Sequence, residues 1–141
     1  MNNPYIPTPS ALCAAAIEAR KNSYSPYSGI RVGAALLTES GNVYTGCNIE
    51  NSAYSPTVCA ERVAVFKAIS EGEKNFTAIA IAGGSGDEPS YEFPPCGVCR
   101  QVLSEFAGSE LKVYLVKNEN EFTTLTLADL LPNGFGKGNL K

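Results

Sequence analysis

Apolar residues first recur at helical spacing in Leu12, Ala15, Ala16 and Ala19, just after Thr8-Pro9, so the chain opens with a helix packed through one face. Thr8 is placed to cap that helix and Pro9 to occupy its first position. The polar stretch SYSPYSG, residues 23–29, reads as a loop. Two strands follow, Val32 to Thr38 and Val43 to Ile49, and Glu39-Ser40-Gly41-Asn42 between them is hairpin chemistry. The run VGAALL is apolar without alternation, as expected of an inner strand covered on both faces.

A polar loop from Glu50 to Thr57 leads into a helix from about Cys59 to Glu71, closed by Gly72. Thr77 to Ala82 reads as a short buried strand, and Gly83 to Pro95, rich in Gly, Pro and acid, as a loop. A helix from about Gly97 to Ala107, strands at Lys112 to Val116 and Phe122 to Thr126, and a short helix at Leu127 to Leu131 complete the pattern. The last ten residues, PNGFGKGNLK, form a tail. The order α-β-β-α-β-α-β-β-α predicts an α/β fold in which a mixed sheet is sandwiched between helices. We expect one domain over residues 1–141, with flexible ends at about 1–7 and 137–141.

Composition narrows the partners more than the fold. The 141 residues, 44% hydrophobic and 18% charged, suit one domain with a substantial core. Net charge is −3 and the Lys and Arg residues are scattered, whereas a nucleic-acid binder carries a basic stripe. The expected substrate is therefore small, with no nucleic-acid partner. The N-terminal MNNPYIPTPS has neither the basic nor the apolar region of a signal peptide, and no stretch approaches the ~20 apolar residues of a membrane span. Asn75-Phe76-Thr77 matches a glycosylation sequon, which we read as coincidence without such a signal. An odd count of five cysteines favours thiol and metal chemistry over a disulfide framework, and a cytoplasmic location with no membrane partner.

The chain has no histidine, so metal or acid–base chemistry must use cysteine and carboxylate. Cys96 and Cys99 in PPCGVC share one face of a helical first turn, and both thiolates can reach one tetrahedral zinc, with Cys59 of TVCAER as third ligand. A CxxC alone also fits a redox pair or half of a structural zinc knuckle. A fourth cysteine ligand would have to be Cys13 or Cys47, each most simply a small buried residue; without one, zinc keeps an open position, as catalytic sites do. Glu61 stands two residues after Cys59 and shares its pocket only if Cys59 lies at or before the first helical residue. Taken alone, an acid there is explained by the helix dipole. Three thiolates on zinc leave a charge of −1, so something must draw charge from sulfur: two helix N-termini, and Arg62 or Arg100, which directly follow the ligand segments. We expect Arg62 to belong to the site.

These residues lie in stretches that resemble the small, homotetrameric cytidine deaminases: SPYSGIRVGAALLTESG, GCNIENSAYSPTVCAERVAVFKAISEG, PPCGVCRQVL and DLLPNGFG, from about Ser25 to Gly136. The resemblance implies a three-layer α/β/α sandwich with a five-stranded mixed sheet and one Zn2+ per subunit on Cys59, Cys96 and Cys99. It implies hydrolysis of cytidine and 2'-deoxycytidine to uridine and 2'-deoxyuridine with release of ammonia, as in pyrimidine salvage. In zinc deaminases generally, water activated at the metal attacks C4 of cytosine, and a glutamate, here Glu61, moves the proton. Asn48 and Glu50 match the ribose-binding pair, and an amide with a carboxylate can read a sugar hydroxyl as donor and acceptor. The backbone of Ala60 would meet the pyrimidine edge, while Tyr54 and Phe135 would reach a neighbouring subunit's site. One departure stands out, since relatives usually have phenylalanine where this chain has Ile30, which gives up ring contacts in the pocket.

Three other readings compete: a deaminase of a nucleoside analogue such as blasticidin S, a non-catalytic structural zinc module, and a nucleic-acid editor. Asn48 and Glu50 argue against the first, the shortage of a fourth ligand against the second, and the acidic balance against the third.

Overall fold

The structure, a computed structural model, describes residues 6–89 and 92–140. Its elements run α1 (Pro9–Ala19), β1 (Arg31–Thr38), β2 (Val43–Cys47), α2 (Ala60–Ser70), β3 (Phe76–Gly84), α3 (Gly97–Phe106), β4 (Lys112–Asn118), β5 (Glu121–Thr126) and α4 (Leu127–Leu130). The expected cap on α1 is present, with the Thr8 hydroxyl accepting the Ala11 N–H at 3.1 Å and Pro9 at the first position. Of the ends expected to be flexible, residues 1–5 and 141 lie outside the described residues, and Lys137–Leu140 form a 3-10 turn.

Five strands form one mixed sheet in the order β2-β1-β3-β4-β5, with β3 and β4 parallel and the other neighbours antiparallel. This is the α/β fold the sequence predicts. Residues alternate between two cores, as a pleated strand requires. Val32, Ala34 and Leu36 of β1 with Ile79 and Ile81 of β3 pack beneath α2 and α3. Ala35, Leu37, Ala78, Ala80 and Ala82 face the other way, onto Leu12, Cys13 and Ala16 of α1. Helices therefore cover both faces, and β1 is buried along nearly its whole length.

Glycines set how closely two helices approach. A Cβ at Gly33 would fall 2.1 Å from the Ala16 carbonyl oxygen, so α1 lies directly on β1 there. A Cβ at Gly46 would fall 2.4 Å from the Ala60 oxygen and 2.6 Å from the Ala64 nitrogen, so β2 receives the first turn of α2.

Several boundaries differ from the sequence expectation; β4, for one, runs on to Asn118. Strand β3 continues through Gly83 and Gly84, residues expected in a loop, because both pair with β1, at Val32 and Arg31. A turn-forming residue is overridden here by a ladder partner. Strand β2 ends at Cys47; Asn48 diverts its side chain into backbone hydrogen bonds, and Ile49 makes only isolated bridges with Tyr24 and Val58. Beyond β3, the buried Arg20 fastens the chain by donating to the carbonyls of Gly84, Gly86, Asp87 and Arg31 at 2.7–3.2 Å.

Candidate functional site

Helices α2 and α3 begin near each other, and a cysteine caps each. Cys59 precedes Ala60 and Cys96 precedes Gly97, both with extended backbone. The Cys96 sulfur accepts the Cys99 N–H at 3.4 Å, which folds the CxxC onto one side of the first turn of α3. The sulfurs of Cys59 and Cys96 are 3.6 Å apart, those of Cys96 and Cys99 3.3 Å, and all three lie within 4.8 Å of one another. A tetrahedral zinc with metal–sulfur bonds of about 2.3 Å spaces its ligands about 3.8 Å apart. The Cys59–Cys96 and Cys96–Cys99 pairs thus fit zinc with adjustments of tenths of an ångström.

No other cysteine joins them. Cys13 is buried in the α1 core across the sheet, where burial pushes its thiol up to about 11. Cys47 stands opposite Gly33 in the β1–β2 register, on the α1 side, and burial raises its thiol too. Cys59 moves the other way, down to about 5: hydrogen bonding from Cys99 is the largest cause, followed by that from Arg62 and Cys96, against burial. Cys99 is raised by the same hydrogen bond and by burial.

Positive groups stand beside the sulfurs in the structure. The orphan N–H groups of two helix N-termini lie beside the sulfurs. Arg62 donates from Nη2 to the Cys59 sulfur at 3.5 Å. Its Nε is buried without a hydrogen-bond partner among the described residues, an arrangement suited to a charged cluster of thiolates. Arg100 is a correction: it donates to the carbonyls of Pro95 at 2.8 Å and Leu130 at 2.7 Å, tying the start of α3 to α4 instead of serving sulfur.

Glu61 resolves its spacing problem through the helix boundary. Cys59 is the cap and Glu61 the second helical residue, so their side chains do not diverge as they would within a helix. The Glu61 side chain is 3% exposed, and burial pushes its carboxyl up to about 7, aided by the negative charge of Cys59. An exposed acid at a helix start would need no such burial.

A cavity of about 460 Å³ opens over this cluster, bounded on the polar side by Asn48, Glu50, Glu61, Cys59 and Cys96. Ala60, fully buried, lines it as well. Its apolar walls include Ile30, Val32, Val58 and Phe93. Asn48 is largely committed: Oδ1 accepts from the Val32 N–H at 2.9 Å and from the Ser23 hydroxyl at 2.5 Å, and Nδ2 donates to the Ile30 carbonyl at 2.8 Å. One Nδ2 hydrogen remains to offer. Glu50 accepts the N–H groups of Tyr27 and Ser28 on Oε1, and the Ser28 hydroxyl at 2.5 Å on Oε2. One Oε2 lone pair remains, with the Ser28 hydrogen bonds as the main cause of the lowered Glu50 carboxyl. The pair thus presents one donor and one acceptor.

Tyr54 and Phe135 do not line this cavity. Tyr54, 74% exposed and at a positive φ of 61°, meets Tyr27 edge-on in an adjoining surface pocket. Phe135, 58% exposed, sits near Leu131 and Pro132, with its carbonyl bound by Gln101 at 2.9 Å. Ser23, Ser28 and Phe93 are functional neighbours that the sequence reading misses. For the serines the only signal is a hydroxyl-rich loop, and for Phe93 there is none, because its place depends on how the loop folds back.

The region of residues 7–115 matches the family model for the cytidine and deoxycytidylate deaminase zinc-binding region. The chain is 48% identical over 129 residues to a cytidine deaminase of Sporosarcina psychrophila, covering 92% of each chain. It is 46% identical over 120 residues to a cytidine deaminase of Halalkalibacterium halodurans, covering 85% of this chain and 88% of that one. The crystal structure of cytidine deaminase from Burkholderia pseudomallei superposes with a TM-score of 0.83 at 41% identity, over 92% of this chain and all of that one.

Proposed function

The chain belongs to the cytidine deaminase family, and from that premise we propose how its own residues bind and deaminate cytidine and 2'-deoxycytidine. The observation that carries the reading is a buried carboxyl, Glu61, set beside three converging sulfurs in a cavity that also holds Asn48 and Glu50. Cys59, Cys96 and Cys99 hold zinc, and two helix N-termini with Arg62 draw charge from the sulfurs. When bound, zinc supplies Lewis acidity that makes water a nucleophile at neutral pH.

Glu61 carries the proton. As carboxylate it takes one from the attacking water while the new C–O bond forms at C4 of the base, then passes it to the adjacent ring nitrogen. A second transfer through Glu61 carries the proton of the new C4 hydroxyl to the exocyclic amine; the C4–N bond breaks, ammonia leaves, and the 4-carbonyl of uridine remains. A carboxyl near pH 7 is matched to both accepting and giving a proton. The remaining Nδ2 hydrogen of Asn48 and the remaining lone pair of Glu50 meet a ribose hydroxyl, and the backbone of Ala60 meets the edge of the base. Tyr54 and Phe135, both exposed and outside their own cavity, reach the site of a neighbouring subunit in a homotetramer. Five free thiols suit the reducing cytoplasm, and among the described residues no helix is long and apolar enough to cross a membrane.

The test pairs zinc analysis with an assay on cytidine, deoxycytidine and free cytosine. Glu61→Ala is expected to keep its zinc and lose turnover by roughly 10²–10⁴-fold or more. Retained turnover would remove Glu61 from the mechanism.

A further inference from the structure

Among the described residues, Phe93 is the one aromatic side chain that lines the cavity. Its ring occupies the space where Gly83 has no side chain: a Cβ there would fall 2.5 Å from the ring Cγ and 2.8 Å from Cδ2. Gly83 pairs in register with Val32, so both face the α2–α3 side of the sheet, and Val32 is itself a wall of the cavity. The ring is half-buried against the core at Gly83 and is also part of the cavity lining. Its loop is held at both ends. Arg20 ties Gly84, Gly86 and Asp87 upstream, and Pro94-Pro95 lead straight into Cys96 downstream, with the Pro95 carbonyl bound by Arg100. Ile30, elsewhere on the cavity wall, is aliphatic.

A pyrimidine offers a flat π-face, and an aromatic ring binds such a face better than an aliphatic side chain. We propose that Phe93, seated in the gap left by Gly83, is the stacking wall for the pyrimidine base and supplies the ring contact that Ile30 does not. The assignment rests on reading the cavity as a cytidine site. Phe93 acts on binding and leaves the proton transfers to Glu61. Its loss therefore raises KM and weakens product binding, while kcat holds.

The experiment measures cytidine kinetics and calorimetric binding of uridine for the zinc-loaded wild type, Phe93→Leu, Phe93→Tyr and the double variant Phe93→Leu/Ile30→Phe. Zinc content and melting temperature are followed in each. Phe93→Leu is expected to raise KM and weaken uridine binding by roughly ten-fold. Phe93→Tyr keeps the wild-type values, and Ile30→Phe in the Leu background recovers part of the loss. If Phe93→Leu binds uridine like the wild type, or if Tyr weakens binding as much as Leu, the stacking assignment is overturned while the cytidine reading stands. If the wild type neither deaminates cytidine nor binds uridine, both fall together.

Discussion

At the scale of single residues, the site depends on how each polar atom is already occupied. Asn48 and Glu50 spend most of their hydrogen-bonding capacity on Val32, Ile30, Tyr27, Ser28 and Ser23, which leaves one donor and one acceptor facing the cavity in fixed positions. Arg62 shows the same economy, with one nitrogen on the Cys59 sulfur and a buried Nε beside it. Removing that guanidinium leaves the thiolate cluster with less positive charge to offset it. We expect Arg62→Ala to lower both zinc retention under chelator challenge and cytidine turnover, with Arg62→Lys intermediate because lysine cannot reproduce the planar fork. Turnover and zinc content both equal to wild type would show that Arg62 is a bystander.

Among elements, contact between strand and helix positions the ligands. Gly46 lets β2 touch the backbone of the first turn of α2, the turn that begins at Cys59 and contains Glu61. The two nearest neighbours of its missing Cβ are backbone atoms, which cannot swing aside. Gly46→Ala should therefore cost about 1–3 kcal/mol, by overpacking. It should also reduce zinc content, because the displaced turn carries Cys59; denaturant melts and metal analysis check both. The β1–β2 hairpin is anchored differently. Ser40, Tyr44, Thr38 and Asn42 hydrogen-bond Glu73, bringing its carboxyl down from 4.5 to about 2, with Ser40 the largest cause. A carboxyl lowered in the folded state contributes stability above its unfolded pKa and loses it as pH falls through the folded value. The contribution of Glu73 is thus whole above about pH 4.5 and fades toward pH 2. Glu73→Gln should melt below the wild type at pH 7 and approach it near pH 2; a gap independent of pH would exclude the ionised carboxylate as its source.

On the scale of the whole molecule, the exposed apolar residues need covering. Tyr24, Tyr27, Ile49, Tyr54, Phe66, Val98 and Phe135 are all more than two-fifths exposed. The proposed tetramer would bury such residues, and it makes a specific demand if Phe135 completes a neighbour's site. Phe135→Ala and Glu61→Ala proteins should each be impaired alone, yet coexpression should restore activity, because mixed tetramers contain sites with an intact Glu61 and an intact neighbouring Phe135. Sedimentation of a monomer, or no restoration on mixing, would argue against shared sites.

Much of this architecture was legible in the chain itself. Element order, the doubly covered β1, the cap on α1 and the cysteine set all follow from local chemistry: period-3.6 and period-2 patterns, capping residues, and thiols three residues apart. The extension of β3 through Gly83-Gly84 was not legible, because a ladder partner distant in sequence overrules local turn preference. Nor was the fate of Arg100, which is set by the carbonyls of Pro95 and Leu130 that come within its reach once α4 has docked.

Residue types and spacing supply the inventory: three thiols, one carboxyl and a metal chemistry that uses no histidine, while the resemblance implies the role of Asn48 and Glu50. The tertiary structure alone decided their relations. It placed Cys59 just outside a helix so that Glu61 shares its pocket, buried Glu61 enough to raise its carboxyl, and folded a loop back so that Phe93 fills the gap at Gly83. Residue types are written in the chain, but burial, charge balance and proximity arise only when distant segments pack, since each depends on what surrounds a group in space.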